Sequence, residues 1–123
     1  MVLDTNIIVY FLEGRLANPL PTGRLAVSVI TEIELLSFER LDKPIESAIR
    51  TFLSRKAQVV ALGSQIKEIA ISLRRAHRLA IPDAVIAATA IALDTELLSN
   101  DVKLGGIPEL RCRSLPTRNV DFP

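Results

Sequence analysis

A chain of 123 residues, 49% hydrophobic and 24% charged, suffices for one compact domain with one core and leaves no room for a second. Fifteen Lys and Arg against fourteen Asp and Glu sum to +1, which indicates no partner by itself; if the acids gather in a cleft, the basic residues must lie mostly elsewhere. The single cysteine, Cys112, excludes an internal disulfide and a multi-cysteine zinc cluster. With no leader-like start at Met1 to Asn6, and no apolar run near the roughly 18 residues of a spanning helix, a soluble cytoplasmic protein is expected.

Along the chain, short apolar runs alternate with longer amphipathic ones. Met1 to Leu3 predicts a very short strand, and Thr5 to Glu13 a helix with Ile7, Ile8, Phe11 and Leu12 along one stripe and Gly14 near its end. The Asn18 to Gly23 segment, with Pro19 and Pro21, is a loop. Leu25 to Val29 predicts a second strand, and Ile30 to Leu41 a helix whose core stripe is Ile30, Ile33, Ser37, Phe38 and Leu41. Glu34 falls on that stripe, where an unpaired charge is costly, whereas Glu32 and Glu39 can face water together.

Pro44 opens a helix to about Arg55, Gln58 to Leu62 is rich in strand formers, and Ser64 to His77 is again helical. Pro82 in a first turn introduces Asp83 to Leu93, apolar nearly all round and therefore central. Leu97 to Asn100 predicts a strand, and Leu110 to Leu115 an edge-like one before a Pro-containing tail. The alternation predicts an α/β fold over residues 1–123, a mostly parallel sheet of four to five strands covered by helices on both faces. Ligands of such sheets sit beyond the carboxyl ends of the strands, which is where Asp4 and Asp101 fall.

Four acids, Asp4, Glu34, Asp83 and Asp101, each interrupt or terminate an apolar segment. Each has an ordinary explanation alone. Asp4 suits a helix cap, Asp83 a helix N-terminus, Asp101 a turn ahead of Gly105 and Gly106, and Glu34 an ion pair with an arginine. Taken jointly, converging carboxylates repel one another unless a cation neutralises them, and the oxygen donors point to magnesium or manganese. His77 stands in a basic stretch with Arg74, Arg75 and Arg78, which either contacts phosphates or forms a solvated helix face, and it has no acid of the quartet beside it. Cys112, between Arg111 and Arg113, reads as a passive thiol.

Taken in order, Leu3-Asp4-Thr5-Asn6, Ser28-Val29-Ile30-Thr31-Glu32-Ile33-Glu34, Pro82-Asp83-Ala84-Val85-Ile86-Ala87-Ala88-Thr89-Ala90 and Leu97-Leu98-Ser99-Asn100-Asp101 resemble the PIN-domain ribonucleases, above all the small VapC-type toxins. The resemblance spans nearly the whole chain and implies a three-layer PIN-like fold. It implies that Asp4, Glu34, Asp83 and Asp101 are the catalytic and metal-holding acids, with Thr5, Asn6, Thr31 and Ser99 supporting them. The implied activity is Mg2+- or Mn2+-dependent hydrolysis of RNA phosphodiesters, and the implied partners are a VapB-type antitoxin and a second copy of the chain. Arg15, Arg78 and Lys103 are candidates for holding RNA phosphates. One departure from the family is the brevity of the first strand.

Two other readings compete. A receiver-like signalling module also carries strand-end carboxylates around magnesium, but it needs an acid after its central strand, and Gln58 to Leu62 runs into Gly63-Ser64. A PIN fold without catalysis, serving as a scaffold, is disfavoured by the presence of all four acids.

Overall fold

Five strands in the computed structural model, which describes residues 1–39 and 41–119, form one wholly parallel sheet. They are β1 (Val2–Leu3), β2 (Ala26–Ser28), β3 (Gln58–Val60), β4 (Leu97–Leu98) and β5 (Cys112–Arg113), ordered β3-β2-β1-β4-β5. The helices are α1 (Thr5–Leu12), α2 (Val29–Leu36), α3 (Lys43–Arg55), α4 (Ser64–His77), α5 (Ile81–Ala92) and the short α6 (Val102–Gly105). The chain builds outward from β1 through β2 to β3 and then returns to β4 on the other side. The strand order therefore reverses between β1 and β4, and a parallel sheet opens a crevice at such a point.

The strands are short, yet their pleat decides both cores. Val2 and Leu97, paired in register, face α4, α5 and α6, where Ile66, Leu73, Ile86 and Leu104 close one core. Leu3 and Leu98, the next pair, face the opposite way with Val27 and meet Ile7, Ile8, Leu35, Ile49, Phe52 and Leu53 from α1, α2 and α3. Successive side chains point to opposite faces, so two residues per strand serve two cores, and the result is the expected three-layer α/β/α arrangement.

Several elements end where their local chemistry dictates. Helix α4 spans the predicted Ser64 to His77, ending on basic residues with Arg78 left-handed at φ 54°. Helix α5 carries Pro82 in its first turn, and its Ala84 to Ala90 stretch is wholly buried. Thr89 survives there because its hydroxyl donates to the Val85 carbonyl at 2.7 Å. The flanking alanines let α4 pack closely along it.

Other boundaries differ from expectation. Strand β5 is only Cys112–Arg113, β4 stops at Leu98, β3 stops at Val60, and α6 lies where the sequence suggests a turn. Helix α2 ends at Leu36, short of Leu41, with Ser37 already off helical geometry at φ −98°, ψ 2°. Its buried residues are Thr31 and Leu35, while Ile33 and Phe38 are exposed. The core stripe expected through Ile33, Glu34 and Phe38 is thus out of phase, and Glu34 is not embedded in the core. Arg40 and the last four residues of the expected tail lie outside the described residues.

Candidate acidic active site

Asp4 follows β1 directly and caps α1, its Oδ1 accepting from the Thr5 backbone N–H at 2.8 Å. Across the strand-order reversal, the Ser99 hydroxyl at the end of β4 donates to Asp4 Oδ2 at 2.6 Å. The same Ser99 Oγ accepts from the Asp101 N–H at 3.1 Å, so one buried hydroxyl ties two acidic segments together. Asp101 caps α6 by accepting from the Lys103 N–H at 2.8 Å. Asn100 points the other way and grips the Leu115 backbone with both ends of its amide, at 2.7 and 2.8 Å.

Asp83 enters from the first turn of α5, where no side chain caps the helix. Glu34 comes from α2 through a pair of threonines: Thr5 Oγ1 lies 2.7 Å from Glu34 Oε1 and 3.0 Å from Thr31 Oγ1. A hydroxyl has one proton, and the carboxylate has the stronger claim on it, so Thr31, fully buried, supplies its own proton to Thr5. The buried stripe of α2 thus holds Glu34 by a hydroxyl relay, with the carboxylate itself in the open.

All four acids, with Thr5, Asn6, Ser37 and Phe38, line one open cleft of about 400 Å³. It is not the largest concavity. One of about 720 Å³ lies between α2 and α3, lined by side chains of both signs, including Glu46, Arg50 and Arg55. Chemistry, and not size, sets the acid cleft apart.

Two of its members, Asp4 and Asp83, have pKa values raised by burial first and by neighbouring charge second. Burial raises the Asp4 pKa above its ordinary value, and the charges of Asp101 and Glu34 raise it further against the opposing hydrogen bonds from Ser99 and Thr5. Burial likewise raises Asp83, with Asp101 and Asp4 adding to the effect and Lys103 opposing it. Cys112, behind the site, is pushed up by its own burial and then by Asp4 and Asp101. Four carboxylates on one cleft, two of them with raised pKa, have the donor chemistry of a hard divalent cation site, since a cation there would offset the repulsion. Among the described residues no three carboxylates are already drawn onto a common point, so an ion held here would need water or side-chain rotation to complete its coordination.

Of the remaining expected site residues, Asn6 lines the cleft and Lys103 acts on Asp83 from α6. Arg15 is turned away: it lies 5.3 Å over the Tyr10 ring and pairs with Glu13 at 3.5 Å. Arg78 is the C-cap of α4 and does not line the cleft. His77 contacts Glu109 at 3.0 Å, outside the acidic group. Ser37 and Phe38 are cleft residues that the sequence reading assigns to the core, and their position just beyond the end of α2 is the signal that places them otherwise.

The family model of the PIN domain matches residues 1–110. The chain belongs to the PIN domain family. Its PIN fold is similar to a chain of a toxin–antitoxin complex from Klebsiella pneumoniae, at 29% identity and TM-score 0.75, over 89% of this chain and 93% of that one. VapBC-1 from nontypeable Haemophilus influenzae is similar at 26% identity and TM-score 0.75, over 92% and 96% of the two chains. VapBC2 from Rickettsia felis, bound to a DNA fragment from its promoter, shares the fold at 22% identity and TM-score 0.78, over 94% and 98%. No protein of curated function matches this PIN domain in sequence.

Proposed function

We propose that this PIN domain is a Mg2+- or Mn2+-dependent endoribonuclease and the toxin of a VapBC-type pair. The observation that carries the reading is the convergence of Asp4, Glu34, Asp83 and Asp101, from four separate segments, on one cleft at the carboxyl edge of a parallel sheet. The toxin assignment is supported by likeness to chains from toxin–antitoxin complexes, and a VapB-type antitoxin and a second copy of the chain are its partners on that reading. On the same reading the protein acts in the cytoplasm; no helix among the described residues is long and apolar enough to cross a membrane.

In this mechanism Asp4 and Asp83 would hold the cation, directly or through water, and Glu34 and Asp101 complete the acidic wall. A cation held there would supply a water of lowered pKa and offset charge building on the phosphorus. Ser99 keeps Asp4 oriented and favours its ionised form. Thr5 and Thr31 hold Glu34 toward the cleft. Lys103 faces the acids as a cation for a flanking phosphate. Water adds to phosphorus, one P–O bond breaks, and the departing oxygen takes up a proton.

The test is cleavage of end-labelled RNA in magnesium or manganese. Expected is cutting at internal positions that stops in excess chelator and in Asp4→Asn and Asp83→Asn proteins that still melt cooperatively. Full activity in either variant, or with chelator present, overturns the assignment.

A further inference from the structure

The cleft has one wall that is neither acidic nor basic. Phe38, two residues past the end of α2, presents a ring 63% exposed on the same cleft as the four carboxylates. The other described aromatic side chains are engaged. Phe52 is buried against Phe11, their centroids 5.5 Å apart, and Tyr10 lies beneath the Arg15 guanidinium. An open aromatic face beside a phosphate-cutting centre has an evident use in a single-stranded RNA site, because every base offers a π-face and stacking on a ring is indifferent to sequence.

We propose that Phe38 is the nucleobase platform of this site, stacking one base of the RNA next to the phosphate held at the acids. The inference rests on the ribonuclease reading and deepens it. Glu34 and Phe38 leave the same end of α2, so an RNA backbone passing the carboxylates brings a neighbouring base to the ring. The ring also borders an apolar groove lined by Leu12, Leu41 and Ile45, a surface suited to a protein segment. Its share in the acid wall, together with Ser37, favours the base. Phe38 is a binding and positioning residue, with no part in bond breaking.

The test measures binding apart from cleavage. In an Asp83→Asn background, dissociation constants are determined for a labelled 12-nucleotide oligoadenylate and for an abasic ribose-phosphate 12-mer, with and without Phe38→Ala. Stacking of one base predicts roughly 5- to 150-fold weaker oligoadenylate binding in Phe38→Ala, no change for the abasic strand, and recovery in Phe38→Tyr. The ring is mostly exposed, so the melting temperature should not move. Equal weakening on both strands, no weakening on either, or no binding of oligoadenylate at all overturns the proposal; unchanged RNA binding assigns the ring to the apolar groove and a protein segment. Oligoadenylate binding that depends on Phe38, in a protein that cuts no RNA with metal, sinks the nuclease reading alone.

Discussion

At the level of single residues, the two acids with raised pKa values make opposite demands on stability and function. Asp83 in the folded chain keeps its proton above the ordinary 3.8, so the folded state binds more protons than the unfolded one in that window. Stability therefore falls as pH rises from 3.8 through the raised value and is flat above it. Asp83→Asn lacks this loss. In chelator its melting temperature should exceed that of the wild type at neutral pH, and the advantage should disappear near pH 3; a variant that melts lower at pH 7 contradicts the account. Ser99→Ala acts in the other direction. Removing the 2.6 Å bond takes away the strongest influence lowering the Asp4 pKa, so the acid limb of the cleavage profile should move to higher pH. Loss of a buried donor to a charged acceptor should also destabilise by about 1–3 kcal/mol, read by urea unfolding at neutral pH.

Among the elements, α2 brings Glu34 to the cleft for a reason other than the one its sequence suggests. Apolar residues stand at Val29, Ile30, Ile33, Leu35 and Leu36, all around the helix, so periodicity alone does not define its inner face. By its spacing from Ile30, Ile33 and Phe38, Glu34 is expected to be a buried acid; it stands instead in the open, beside Thr5, with Thr31 and Leu35 beneath. Leu35 is 1% exposed, and Leu35→Ala should cost about 2–5 kcal/mol in unfolding experiments while loosening the wall that Glu34 and Phe38 share. By contrast α4 is legible end to end, because a polar start, a spaced apolar stripe and a basic last turn agree. Strands of two or three residues are too short to carry a period-two signal, which is why the β5 limits contract from Leu110 to Leu115. At the end of α4, Arg78 sits left-handed at φ 54°, a conformation that glycine adopts freely. Arg78→Gly should therefore be neutral or up to about 1 kcal/mol more stable. Any weakening of RNA binding in that variant then measures the guanidinium itself, and an unchanged salt dependence removes Arg78 from the RNA path.

For the whole molecule, the sheet, the two cores and the acid cleft are one construction. Reversal of strand order between β1 and β4 sets Asp4 beside Ser99, and the loop after β4 brings Asp101 to the same edge. Helices α2 and α5, which meet at this edge, then deliver Glu34 and Asp83 to it. Mutual repulsion at this junction opposes folding, and a divalent cation that binds only the folded chain removes it. Manganese at 100 times its dissociation constant should add about 2.7 kcal/mol to stability, a rise in melting temperature on the order of 10 °C for a domain of this size. Protons compete for the same oxygens. The rise should fade as pH falls through the raised pKa values of Asp4 and Asp83, and it should be lost in the Asp4→Asn, Asp83→Asn double variant. Calorimetric scans across a manganese series, at neutral and at acid pH, decide it: an equal shift in the double variant would place the ion elsewhere on the surface.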